Sequence, residues 1–410
     1  MSDSVQDQYE TYPYPSRDPQ DEKKRLITGS PSNLDELNHY LFAGRRNFSK
    51  PFRALVAGGG TGDAAIMLGQ QLMDRGQGGQ VVYLDLSSAS RAIAESRATV
   101  RGLTNITFLN GSLLDLPTLG LEPFDYIDCC GVLHHLKQPE RGLAALTQAL
   151  KDDGGMGLMV YATYGRSGLY PAQDMLKTLG GDLPLTARVQ QAERLLEALP
   201  PTNWLRRNPF LGDHKRSAAE LVDLLLHSQD RAYSVDEVAA LVSPSGLNLV
   251  SFIEPARYRP ESYLKDPKLL AALDGKSGLE QASFAEKLAG NIKTHVFYAS
   301  RQNDCMATPD PDGAAIPFLS SLDSAELTRS LRKNPVLTIT LDGLPMRFKL
   351  PRLTAAIVER IDGKTSVAKI FERLSNLDAR LERSSFNQQF AQVYEVLNGF
   401  NHLLLRFEPD

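Results

Sequence analysis

Seven short apolar runs punctuate the first three quarters of the chain, at 52–57, 81–86, 106–109, 126–130, 157–162, 247–253 and 295–300. Each is the length of a buried strand and is bounded by polar or turn-forming residues. Stretches of helical period at 64–73, 90–100 and 141–150 separate the first five. That alternation predicts parallel strands joined by right-handed crossovers, hence an α/β sheet covered by helices on both faces. The stretch 254–294 reads as irregular, and the run HVFYAS after it as a terminal strand antiparallel to the rest. Residues 166–235 form an insertion with helical patterning at 189–199 and 218–226, interrupted by Pro184, Pro200, Pro201 and Pro209. The segment QNDCMATPDPDGAAIP at 302–317 has no apolar period and the composition of a linker. Beyond it, 336–343 and 346–350 predict a hairpin. Three helices follow, carrying Leu353, Ile357 and Ile361, then Val367, Ile370, Phe371 and Leu374, then Phe386, Phe390, Val393 and Leu397. The chain thus divides into an N-terminal strap at 1–50, an α/β domain at 51–301, a linker at 302–320 and an α+β domain at 321–410.

Composition narrows the function classes. At 410 residues the chain is too long for one hydrophobic core, and 42% hydrophobic with 23% charged residues is the mix of a globular protein. Forty-five basic against 49 acidic residues leave a net charge of -4, so no global field gathers nucleic acid, which is not an expected partner. Cys129, Cys130 and Cys305 do not make a disulfide framework. The start MSDSVQDQYE lacks the basic and apolar regions of a secretory leader, and no run of apolar residues is long enough to span a bilayer. A cytoplasmic protein with no membrane contact is expected.

The chemistry gathers first at Ala57-Gly58-Gly59-Gly60-Thr61-Gly62-Asp63, between the first strand and the first helix. Glycine there permits positive φ and lets a ligand approach the backbone. Gly60, Gly62 and Ala65 satisfy G-x-G-x-x-G/A, and Asp85 stands twenty residues beyond Ala65, where a ribose-binding acid belongs. The loop alone therefore fits a nicotinamide dinucleotide or an adenosyl cofactor.

Later residues separate the two. Phe108 to Pro117, Phe124 to Leu136 with the run Gly131-Val132-Leu133-His134-His135-Leu136, and Leu150 to Gly155 follow the glycine loop in an order that resembles the class I S-adenosylmethionine-dependent methyltransferases. The resemblance implies a Rossmann-like seven-stranded sheet and S-adenosylmethionine as cofactor. It places the cofactor on Gly58, Gly59, Gly60, Gly62, Asp85, Leu86, Ser112, Leu113, Cys130 and Gly131. Two departures stand out: Val56 occupies the position of a customary acid, and Ser112 that of a customary aspartate. His134 and His135 are read as general bases or as structural residues of the fourth-strand motif, and Cys129 and Cys130 as small apolar fillers of a buried strand. No metal is expected, because a strand and the turn after it aim these four side chains apart.

The same resemblance places the methyl acceptor against the strap and the insertion. Tyr9, Tyr12 and Tyr14 in YETYPYP suggest a stiff lid or strap, and Tyr14, Arg166 and Arg231 join His134 as candidate acceptor-site residues. Trp204 is read as a core anchor. YPYP, YATYGRSG and SQDRAYS together resemble bacterial methyltransferases related to tetratricopeptide-fused enzymes, and the C-terminal hairpin and helices resemble winged-helix-like peptide-binding chaperones of peptide-modification pathways. A peptide or protein side chain is the implied acceptor. A small metabolite, a catalytically inactive cofactor-binding regulator and a C-terminal unit that only packs or forms a homodimer stay open.

Overall fold

The computed structural model describes residues 5–76, 78–212 and 217–408. The seven predicted strands are present: β1 Phe52–Ala57, β2 Gly79–Asp85, β3 Ile106–Asn110, β4 Phe124–Cys130, β5 Leu150–Tyr161, β6 Asn248–Phe252 and β7 Thr294–Ser300. They form one sheet in the order β3-β2-β1-β4-β5-β7-β6. Strands β1 to β5 pair in parallel and β7 pairs antiparallel to β5, as the sequence predicts. Ala54, Leu55, Val56 and Ala57 of β1 are all buried, the continuous apolar run of a strand covered on both faces. The α/β class with a helical insertion is therefore the observed architecture.

Two elements differ from the reading of the sequence. Strand β5 starts at Leu150, so the Leu150-to-Gly155 segment, which resembles the family's turn before its fifth strand, lies within the strand, and its register against β4 shifts between Phe124 and Tyr126. The stretch expected to be irregular contains a helix, Gly278–Ala289. Its buried positions are Ala282, Ser283, Ala285 and Glu286, whereas Leu279, Phe284 and Leu288 stand about 40% exposed. A helix that buries small and polar residues leaves no apolar period to read.

The insertion folds into helices Leu169–Gly180, Leu185–Ala198, Trp204–Arg207 and Ala218–Leu221, the last running into a π-helical turn at Val222–Leu226. Leu169, Leu176, Leu205, Leu221 and Leu225 form its own core. Trp204, expected as an anchor, is 68% exposed, and the anchoring position falls to its neighbour Leu205.

The chain clusters into two compact units. One comprises Met1–Leu34, Phe48–Leu249 and Gly290–Arg301; the other comprises Asp35–Asn47, Val250–Ala289 and Gln302–Asp410. The second unit contains the predicted hairpin, β9 Val336–Leu341 with β10 Leu344–Lys349, preceded by β8 Ile316–Leu319, which pairs with β11 Leu403–Arg406. The segment read as a linker thus carries a strand, and the Cys305 carbonyl and Ala307 N–H bond to the backbone of Ala43 and His39. Helices Thr354–Val358, Val367–Ser375 and Arg383–Gly399 occupy the predicted places. Arg347 and Lys349 face outward and Met346 inward, but Met346 packs with Phe400 and Ala256 rather than with Ile357 and Phe371.

Candidate active site

The glycine loop leaves β1 and enters helix Asp63–Asp74, with Gly58, Gly60 and Gly62 at φ of +77°, +51° and +103°. Only glycine adopts such values without strain. A Cβ at Gly60 would come within 2.6 Å of the Tyr14 carbonyl oxygen, because the strap crosses directly over the loop. Thr61 fastens it there: its N–H donates to the Tyr14 carbonyl (3.2 Å) and its hydroxyl to the Pro15 carbonyl (2.7 Å). A Cβ at Gly58 would meet Val132 and one at Gly59 the Tyr83 ring, so the loop is pressed between β2 and the turn after β4.

Asp85 ends β2. Its carboxylate accepts the Gly60 N–H (2.7 Å) on one oxygen and the Ser87 N–H (2.8 Å) on the other, and the Leu86 N–H bonds it as well. Burial raises its pKa, and these bonds oppose the rise. Leu86 beside it is 37% exposed. The Asn110 amide donates to the Asp85 and Leu86 carbonyls and holds β2 and β3 in line at this end. Ser112 caps the turn at Leu113–Thr118 by accepting the Leu114 N–H (3.1 Å), and Leu113 is buried. Gly131, at φ +79°, follows Cys130, whose thiol burial pushes well above its ordinary range, as it does that of Cys129. The cofactor-site residues expected from the sequence therefore lie along the carboxyl ends of β1 to β4.

A second set gathers at the carboxyl ends of β4 and β5, under the insertion. His134 is 1% exposed and stacks on Tyr161 with ring centroids 3.8 Å apart. Neither of its ring nitrogens finds a hydrogen bond among the described residues, and burial lowers its pKa well below the ordinary value. Arg166, buried and 3.5 Å from the Tyr161 ring centroid, faces Asp230 at 3.5 Å, and the Gln173 amide also donates to Asp230. Asp223, on the π-helical turn, accepts hydroxyl protons from Tyr9 (3.0 Å) and Tyr161 (2.9 Å). The Tyr9 hydroxyl also lies 3.2 Å from His227 Nε2. His135 and His227 stack at 3.6 Å, and the backbone of Gln229 bridges them.

Of the acceptor residues predicted, His134 and Arg166 enter this chamber, and Tyr14 reaches the glycine loop with its carbonyl. Arg231 does not: it is half-exposed, pairs with Glu237 at 2.9 Å and lies over the Tyr233 ring. Asp223 and His227 were not singled out from the sequence, and Asp230, named there within SQDRAYS beside Arg231, instead faces Arg166. The available signal was Asp223 and His227 one helical turn apart in the apolar run LVDLLLH, a polar pair on a face otherwise buried.

His135, Asp223 and His227 bring ligand-capable atoms within 4.8 Å of one another. The geometry is poor for a cation. Imidazole lone pairs lie in the ring plane, and two rings stacked at an interplanar angle of 17° send them along nearly parallel planes. His227 Nδ1 moreover accepts the Gln229 N–H, so its Nε2 carries the ring's only proton.

Comparison with known proteins places the fold. A family described as "Methyltransferase domain" matches residues 55–156. A curated relative, the uncharacterized protein syc1184_c of Synechococcus sp., is 30% identical over 276 residues, 64% of this chain, and the chain spans 62% of that relative's length. PKMT2 from Rickettsia typhi is similar in structure, with a TM-score of 0.63, 14% identity and coverage of 92% of this chain and 76% of that one. Its complex with AdoHcy gives 0.64 and 15% over the same shares. Residues 55–156, which run from β1 into β5, are the part of the chain that matches this family.

Proposed function

We propose that the chain transfers the methyl group of S-adenosylmethionine to a side chain of a peptide or protein. The observation that carries this reading is the juxtaposition, at the carboxyl ends of one sheet, of the glycine loop and Asp85 with a buried polar chamber at the ends of β4 and β5. The residues fit the cofactor. Asp85 ends β2 with its carboxylate beside the glycine loop, where it can accept a ribose hydroxyl, and a charge-assisted bond of that kind is strong. Gly58, Gly59, Gly60 and Gly62 border the methionine side; Leu86, Ser112 and Leu113 border the adenine; and Cys130 and Gly131 close the floor. When bound, the cofactor supplies an electrophilic methyl group on a sulfonium. The chain's own residues then orient the acceptor and keep water away, since transfer needs an in-line approach.

A macromolecular acceptor is favoured by the outward row of Arg347 and Lys349 on β10, a strand whose one partner in its sheet is β9. An extended peptide can add to such an edge through main-chain hydrogen bonds. The near-complete burial of His134, Arg166 and Asp223 supports a second reading, a small metabolite enclosed under the strap. The experiment is incubation of cell extract with the protein and methyl-labelled S-adenosylmethionine, followed by mass spectrometry. Label on a polypeptide side chain is expected; label confined to small molecules moves the reading to a metabolite, and absence of S-adenosylmethionine binding by calorimetry overturns it altogether.

A further inference from the structure

We propose that His135 takes up the proton released by the methyl acceptor, its Nε2 being held bare by the protein's own hydrogen bonds; the inference rests on the methyltransferase reading above. The backbone of Gln229 fixes both stacked rings. Its carbonyl can only accept, so His135 Nδ1, 2.8 Å away, carries a proton. Its N–H can only donate, so His227 Nδ1, at 3.1 Å, does not. Burial pushes the two imidazoles down to about 4 and about 3, so each is neutral at neutral pH and holds one proton. The rest follows by counting hydrogens. His227 Nε2–H donates to the Tyr9 oxygen, Tyr9 donates to one oxygen of Asp223, and Tyr161 donates to the other. His135 Nε2 is left with a lone pair and no donor among the described residues. Nothing comparable sets the tautomer of His134, whose nitrogens are both unbonded.

The chemistry balances. As the acceptor X–H forms its X–CH3 bond, the carbon–sulfur bond of the sulfonium breaks with its electron pair staying on sulfur, and the proton of X–H moves to His135 Nε2. One positive charge leaves the sulfonium and one appears on the imidazolium. The step therefore creates no new net charge in a chamber where an unpaired one would cost several kcal/mol. The groups facing His135 are His134 on its own loop, Tyr161 at the end of β5, and Arg166, Asp223 and His227 on the insertion. The Arg166 guanidinium works against protonation of the ring, which favours return of the proton to water as product leaves.

The test uses the full chain with histidine labelled in nitrogen-15 and AdoHcy bound, read by long-range proton–nitrogen correlation near neutral pH. Expected is one imidazole protonated on Nδ1 and bare on Nε2, lost in His135→Asn, together with a His227 protonated on Nε2. A His135 protonated on Nε2 overturns the inference whether or not turnover is measurable. In parallel, AdoHcy formation with cell extract as the acceptor pool is expected to fall about 100-fold in His135→Asn, whose amide keeps the bond to Gln229, with S-adenosylmethionine affinity unchanged. Wild-type affinity with wild-type turnover in that variant also overturns it. Failure of the unaltered protein to bind S-adenosylmethionine sinks the methyltransferase reading instead, and the same correlation on the unliganded chain still decides the tautomer of His135.

Discussion

Asp85 is the residue on which the cofactor assignment turns, because it serves two structures at once. It accepts backbone N–H groups from the glycine loop and from the start of the next helix, so it shapes the loop as well as offering an acceptor to a ribose hydroxyl. Asp85→Ala is expected to weaken S-adenosylmethionine and AdoHcy alike, by about ten- to a hundredfold in calorimetry, from loss of charge-assisted hydrogen bonds worth about 1.5 to 3 kcal/mol. Unchanged affinity for both would refute its role. Asp128 on β4 gives a prediction of stability. It is buried against Ser32, and burial pushes its pKa from 3.8 up to about 6. A raised carboxyl pKa means the folded state binds the proton more tightly than the unfolded one. The resulting penalty is absent below the ordinary carboxylate range and full above pH 6, at about 3 kcal/mol for such a shift. Asp128→Asn, whose amide oxygen still accepts the Ser32 hydroxyl, should raise the melting temperature clearly above pH 7 and little near pH 4. His135 and His227, buried and neutral, act with the opposite sign and cost stability as pH falls below their ordinary 6.5. At this scale the sequence was legible where a local motif marks the residue: the glycines and Ser112 stand in turns, and Asp85 ends a strand. Asp223 was not, because its partner Tyr9 lies 214 residues earlier and no local pattern links the two.

Residues 5–28 of the strap bury Gln8 and Glu22 rather than a large apolar side chain, and charge holds them. Arg97, 1% exposed, donates to Glu22 (2.7 Å) and Asp63 (2.7 Å) and to the Thr61 carbonyl (2.8 Å). Arg17 reaches the same Asp63 and Arg101 the same Glu22. Two strap residues, Arg17 and Glu22, are thus tied to the helices on either side of the glycine loop, while Glu10 accepts the N–H groups of Ser88 and Ala89 beside Asp85. Arg97→Leu leaves Glu22 buried with Arg101 alone, and breaking a buried pair in this way costs about 3 to 5 kcal/mol. The expected result is a lower urea midpoint together with proteolytic cleavage in the strap before any in the sheet; resistance equal to the parent would show that apolar packing holds it. None of this was readable from YETYPYP, whose tyrosines and prolines announced a stiff segment but not its anchors. Strands were found because their apolar runs are continuous. The helix Gly278–Ala289 was missed because its buried side is alanine, serine and glutamate.

For the molecule as a whole, the consequential question is whether the last hundred residues can be removed. The patterning of 302–317 suggests a joint there, so that a chain ending at 303 would keep its fold. The contacts inside the second unit argue otherwise. His39 is fully buried: its Nδ1 accepts the Leu405 N–H (3.0 Å), and Tyr394 and Asn398 lie 3.2 and 3.1 Å from its Nε2. Burial pushes its pKa down to about 4, so it depends on those neighbours for every hydrogen bond it makes there. Phe400 packs with Ala256, and a Cβ at Gly399 would come within 3.2 Å of the same alanine. Segments 35–47 and 250–289 therefore share one core with 302–410, and that could not be read from composition because the partners lie more than a hundred residues apart. The likeness to PKMT2, which extends over 92% of the chain, fits a fold that does not stop at 301. Ending the chain at 303 would expose Tyr40 and Ala256 and leave the His39 ring unsatisfied. At about 25 cal/mol per Å² of apolar surface, and one to three kcal/mol for each orphaned polar group, that loss exceeds the margin of an ordinary domain. The shortened chain should aggregate or bind a hydrophobic dye, and should lose its cooperative melting transition. A soluble, monomeric product with undiminished S-adenosylmethionine affinity would show instead that 35–47 and 250–289 pack well enough without the C-terminal strands, and that 302–410 is a separable module after all.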